Sequence, residues 1–217
     1  MTRFGCQDMV SPIRQILLKH PKDAFINQSK VNREFVQLNY SGAPDYHRAC
    51  ASYDSFLNLL KSFGIKIHFL PVSKSTSLDS VYTHDPCIVS NNGVILCNMG
   101  KTARLSEPEA VKEYFQSIHV PILGRIEPPG TLEGGDVVWI DEQTVAVGDG
   151  YRSNAEGIYQ LKALLGNQVD NLISVHLPHW TGPEDCLHLM SIVSPIDHDL
   201  YLVYSRLLPV PFRKYLL

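Results

Sequence analysis

Glu133-Gly134-Gly135-Asp136 packs two acids around two glycines, and Arg152 follows it after two short apolar runs. Two other stretches share this layout. Thr83-His84-Asp85 precedes one pair of apolar runs, and Cys186-Leu187-His188 precedes another. Asp85, Asp136 and His188 are spaced 51 and 52 residues apart. Carboxylates and a histidine are groups for ion binding and proton transfer, because imidazole changes charge near neutral pH. Taken singly, each position has an ordinary reading. Glycine permits a sharp turn at positive φ, aspartate caps turns, and a histidine in an apolar run is commonly a core residue.

The remaining chemistry-bearing residues narrow the choice. Cys6, Cys50, Cys87, Cys97 and Cys186 are odd in number and scattered, with no C-x-x-C spacing. That pattern argues against a disulfide framework or structural zinc and for free thiols in a reducing cytosol. Cys186 and His188 are too close in sequence for the usual paired-ligand metal patterns, so neither metal nor cofactor is expected. With 44% hydrophobic and 19% charged residues, the chain reads as globular rather than disordered. A net charge of −3 gives no electrostatic case for nucleic acid or an anionic membrane. Its apolar runs fall far short of the ~20 residues that span a bilayer, and Asp8 and Pro12 interrupt the start, which does not read as a signal peptide.

The elements that position these residues follow from periodicity. Thr83–Gly100, Glu133–Gly150 and Cys186–Arg206 each read as a β-hairpin, with turns at Ser90–Gly93, Asp141–Gln143 and Pro195–Asp199. Between them lie helical segments, one opening at Ser106 and one at Ser153 with Gly166 as its stop. Each helix leads to another extended piece, "VPILGRI" or "LISVHLP". The unit is strand, strand, helix, strand, repeated at roughly 50 residues. The N-terminal part fits as a divergent copy: a strand in "SPIRQILLKHP", a helix over Asp45–Phe63 ending at Gly64, and a strand in "IKIHFLPV". Charge stands at the mouth of each hairpin, in register with the repeat.

Four ordered motifs, "DSVYTHDP", "LEGGDV", "VGDGYRSNAEG" and "LHLMS", resemble the guanidine-modifying or pentein superfamily, most nearly its dimethylargininase-like members. The resemblance spans most of the chain after residue 75. It implies one α/β domain over residues 1–217, a five-module propeller of ββαβ units with its site on the axis. It also implies a cytoplasmic C–N hydrolase that converts N-methylated arginine to citrulline and an amine. Arginine deiminase and amidinotransferase activities are the alternatives within the family. Asp79, Asp85 and Asp136 would then bind substrate, and Glu133 would partner the guanidinium or the histidine. A guanidinium is a planar, permanent cation whose donor fork fits carboxylates. Arg104 and Arg152 would hold the α-carboxylate of an amino acid, a task suited to bidentate arginine. His188 would serve as general acid and base beside a nucleophilic cysteine. The partner implied is a small guanidino compound, with a homodimer left open.

Two departures stand out. His84 occupies a position where these relatives commonly carry an acid, which leaves the substrate open. The family's nucleophilic cysteine follows the histidine, yet no cysteine follows His188 here. By the repeat, the fourth unit lacks its helix and closing strand and the fifth is missing. The expectation is therefore a truncated product, a splice form, a fragment or a pseudoenzyme that binds arginine-like ligands.

Overall fold

The computed structural model describes residues 4–184 and 186–217 and alternates short strands with helices. It divides into two units, one comprising Met1–Ser11, His84–Lys101 and Phe115–Leu217, the other Pro12–Thr83 and Thr102–Tyr114.

In the smaller unit, β1 (Gln15–Leu18) is followed by α1 (Pro21–Ala24), α2 (Gln28–Glu34) and α3 (Tyr46–Ser62), and then by β2 (Lys66–Phe69), which pairs with β1 in parallel. The predicted helix over Asp45–Phe63 is α3. The Asp45 carboxylate accepts the Arg48 N–H at 2.7 Å, satisfying an orphan donor of the first turn, and Gly64 leaves the helix at φ +72°. Apolar residues of α3 and β1 meet in one cluster, Leu18, Leu57 and Leu60. A second cluster joins Ala24, Phe25, Val31 and Leu38 to Leu78. Helices α1 and α2 had no counterpart in the sequence reading. At four and seven residues they are too short to show a 3.6-residue period, and their caps, His20 and Asn27, carry the signal instead. Helix α4 (Glu107–Ser117) begins one residue after Ser106, whose hydroxyl donates to the Ser75 carbonyl at 2.6 Å.

The larger unit contains the three predicted hairpins. β3 (Cys87–Ser90) pairs antiparallel with β4 (Gly93–Leu96), and β5 (Ile122–Arg125) adds parallel to β4. β6 (Val137–Asp141) and β7 (Thr144–Asp149) pair the same way, and β8 (Asn171–His176) adds parallel to β7 after α5 (Ala155–Leu165). Two ββαβ units are thus complete. The third hairpin, β9 (Val193–Asp197) with β10 (Leu200–Val203), forms a two-stranded sheet, and α6 (Val210–Leu216) follows it where the repeat reading expected no helix. Its turn is tighter than predicted, because Pro195, Ile196 and Asp197 belong to β9. Proline is tolerated in so narrow a sheet, where its missing N–H can face away from the ladder. The apolar faces of β3 to β7 and α5 form one core around Ile95, Ile126, Leu132, Val147 and Leu161. A second core joins β6 and β7 to Leu189, Ile192 and Phe212. Among the described residues no helix is long and apolar enough to cross a membrane.

Candidate active site

Glu133 is fully buried at the centre of a charged network in the larger unit. Its Oε2 lies 3.0 Å from His188 Nε2, and Arg152 Nη1 donates to its two oxygens at 3.1 and 3.3 Å. The Lys101 N–H donates to Oε1 at 2.9 Å. Burial alone would favour the neutral acid. The hydrogen bond from His188 and the Arg152 charge overcome it and hold the carboxyl at about 2. Burial also acts to discharge His188. The Cys186 thiol, 3.8 Å from Nδ1, and the Glu133 carboxylate outweigh it and raise the imidazole to about 10. The site therefore holds an imidazolium, a carboxylate and a guanidinium at neutral pH.

Short turns place these groups. Glu133 immediately precedes a 3₁₀ turn over Gly134–Asp136, and His188 immediately precedes another over Leu189–Ser191. Gly135 lies so close to the His188 ring that a Cβ there would overlap Nδ1 and Cγ. Glycine is required at this position for close approach rather than for positive φ. Asp136 ties the two turns together: Oδ1 accepts the Leu189 N–H at 3.0 Å, and Oδ2 accepts the Ser153 hydroxyl at 2.6 Å. Burial pushes this carboxyl up to about 6. Asp85 Oδ1 accepts the Gly135 N–H at 3.0 Å, and its carbonyl accepts Gly134 N–H at 2.9 Å. His84 is exposed beside it.

Five of the seven predicted residues, Asp85, Glu133, Asp136, Arg152 and His188, thus belong to one network. Asp79 and Arg104 belong to the smaller unit. Arg104 is buried and forks onto Glu107, with Nε to Oε1 at 3.0 Å and Nη2 to Oε2 at 2.8 Å, and Nη2 also donates to the Tyr82 carbonyl at 2.9 Å. Asp79 is buried in the 3₁₀ turn Leu78–Val81, where the Ser77 hydroxyl accepts its N–H at 3.3 Å. Burial and the Asp79 charge raise the Tyr40 phenol.

Ser153 suits a helix cap by type, but Asn154 caps α5 by accepting the Gly157 N–H at 2.8 Å. Ser153 instead accepts the Glu133 N–H at 3.1 Å while donating to Asp136. Either residue suits a cap by type, so composition alone does not choose between them. Glu107 also escaped the reading; three residues after Arg104, it was hidden among the acids of a helix start. Cys87 is buried, and burial with the Asp85 charge pushes its thiol to about 12, which marks a structural cysteine. Among the described residues, no three His, Cys, Asp or Glu side chains group to hold a metal ion.

A family model described as arginine deiminase matches residues 75–213. The chain is 28% identical over 173 residues, 80% of its length, to the N(G),N(G)-dimethylarginine dimethylaminohydrolase of Pseudomonas aeruginosa. It is 29% identical over 178 residues, 77% of its length, to the protein of that name from Streptomyces coelicolor. It spans 65% of the length of each of these relatives. A solved structure of the P. aeruginosa enzyme, a cysteine-to-serine mutant complexed with citrulline, superposes with a TM-score of 0.72 at 26% identity, covering 89% of this chain and 70% of that one. The N-terminal domain of a cyanobacterial arginine dihydrolase shares the fold, with a TM-score of 0.75 at 17% identity over 94% of this chain and 71% of that one.

Proposed function

From the premise that the chain belongs to the arginine deiminase family within the pentein superfamily, we propose that it supplies the guanidinium-binding and proton-handling part of an N-methylarginine hydrolase. Its fold is the mixed α/β fold of the dimethylarginine dimethylaminohydrolase structures. The observation that carries the reading is Glu133, an ionised carboxylate held without solvent between an imidazolium and a guanidinium. A substrate guanidinium offers Glu133 the same donors that Arg152 offers now. On binding, the Asp85 and Glu133 carboxylates would share the flat cation, and Arg152 would turn to the substrate α-carboxylate. A cysteine thiolate then attacks the guanidinium carbon. His188, charged at neutral pH, gives its proton to the departing amine and afterwards takes one from the water that releases citrulline. Asp136, with both oxygens bound by the chain, holds the His188 turn in place.

The attacking thiolate is not Cys87, whose thiol is buried and pushed to about 12. We read the chain first as a binder of arginine-like ligands at this site. Calorimetry on the chain with N-methylarginine, beside a colorimetric citrulline assay on the same samples, tests binding and chemistry separately. The expected result is binding by the unaltered chain, with binding retained and any citrulline release lost in His188→Ala. Citrulline release by the His188→Ala protein, or no heat of binding for the unaltered chain, would overturn the assignment.

A further inference from the structure

Cys186 is exposed, whereas His188 and Glu133 behind it are buried. The three side chains stand in a line: Sγ is 3.8 Å from His188 Nδ1, and His188 Nε2 is 3.0 Å from Glu133 Oε2. This sets a thiol against an imidazolium that is itself oriented by a carboxylate. The ring cannot swing freely. Gly135 is packed against it, and the His188 N–H is bonded to the Ser191 hydroxyl at 3.1 Å. Its Nδ1 is thus fixed toward the thiol, and Nε2 toward the acid.

We propose that Cys186 is a reactive-thiol site that takes small soluble disulfides, with the His188 cation, held by Glu133, beside the sulfur. The thiolate attacks one sulfur of the disulfide, a new S–S bond forms to Cys186, and the old S–S bond breaks. The Cys186 proton leaves to water and the departing thiolate takes one from water, so the balance is one protein thiol and one disulfide giving one mixed disulfide and one small thiol. The class of ligand follows from access. The thiol faces water, where a disulfide reaches it directly, and Glu133 lies at the other ring nitrogen. The site stands independently of which guanidino compound the chain binds. Because a mixed disulfide removes the thiol from Nδ1, the state of the surrounding thiol pool would set the environment of the group that handles protons in the proposed hydrolysis.

Cys6 is a built-in control. It is also exposed, but its Sγ lies on the Asp8 carbonyl at 3.4 Å instead of on an imidazole. The unaltered chain is incubated with oxidised glutathione at pH 6, and the mixed disulfides are located by peptide mass spectrometry. Cys186 is expected to react at least about tenfold faster than Cys6. In His188→Gln the Cys186 rate should drop to that of Cys6, with Cys6 unchanged. Equal rates in the unaltered chain, or a Cys186 rate untouched by His188→Gln, would each overturn the proposal. The ratio of the two rates in the unaltered chain decides the matter even if that variant does not fold.

Discussion

Glu133 stabilises two buried cations at once, which makes it the residue whose loss costs most. Arg152 and His188 are each only 8% exposed, so neither can be solvated by water if the carboxylate is neutralised. Removing one partner of a buried ion pair costs about 3–5 kcal/mol, because the orphaned charge remains. Glu133→Gln should therefore lower stability by that order in urea unfolding at pH 7. It should also lower the His188 titration midpoint, followed by NMR, from about 10 by more than one unit. A loss under about 1 kcal/mol would show that water reaches the site. These roles were partly legible in the sequence. Glu133, Arg152 and His188 stand out in the sequence through the motifs that carry the family resemblance, and the structure links them directly. That Arg152 would lie on Glu133 was not legible, since nothing in a linear spacing says which of two ends an arginine fork takes.

At the scale of elements, the His188 turn and the Gly134–Asp136 turn fit together only because residue 135 lacks a side chain. Gly135→Ala would drive a methyl group into the imidazole ring. The expected outcome is displacement of His188 from Glu133, read as a fall in the His188 midpoint toward 6.5, its unperturbed value, with the strand signature in circular dichroism retained. An unchanged midpoint would mean the turns slide apart at no cost. Strands and long helices were readable because their periods extend over enough residues: α3 spans 17 and has an acid cap and a glycine stop. The 3₁₀ turns that carry Asp79, Asp136 and Arg104 span three or four residues and have no period to read. The turn at Pro195–Asp199 was placed too early because proline and aspartate are common to turns and to strands at the edge of a sheet.

For the whole molecule, the buried charges dictate how stability varies with acidity. Glu133 is depressed from 4.5 to about 2, so its contribution is complete above 4.5 and is lost as pH falls toward 2. His188 is raised from 6.5 to about 10, so its contribution is complete below 6.5 and is lost as pH rises toward 10. Asp136, raised from 3.8 to about 6, favours the folded state most at low pH and tilts the curve the same way. Thermal unfolding should show maximum stability between pH 4.5 and 6.5, nearer the acid end. His188→Gln should flatten the descent on the alkaline side; an optimum above pH 8 would contradict this charge arrangement. The repeat near 50 residues was the most legible property of the chain, because two complete ββαβ units reproduce it.

The hairpins β3–β4 and β6–β7 each gain a third strand alongside, whereas the sheet of β9 and β10 has two. Leu200 and Leu202 on β10 are 55% and 66% exposed. A strand rim that is both sticky and ready to zip onto another backbone is a template for clumping. In the test tube the chain should be easiest to keep clear when dilute, and a lysine in place of Leu202 is the simplest way to blunt the rim without touching the charged centre.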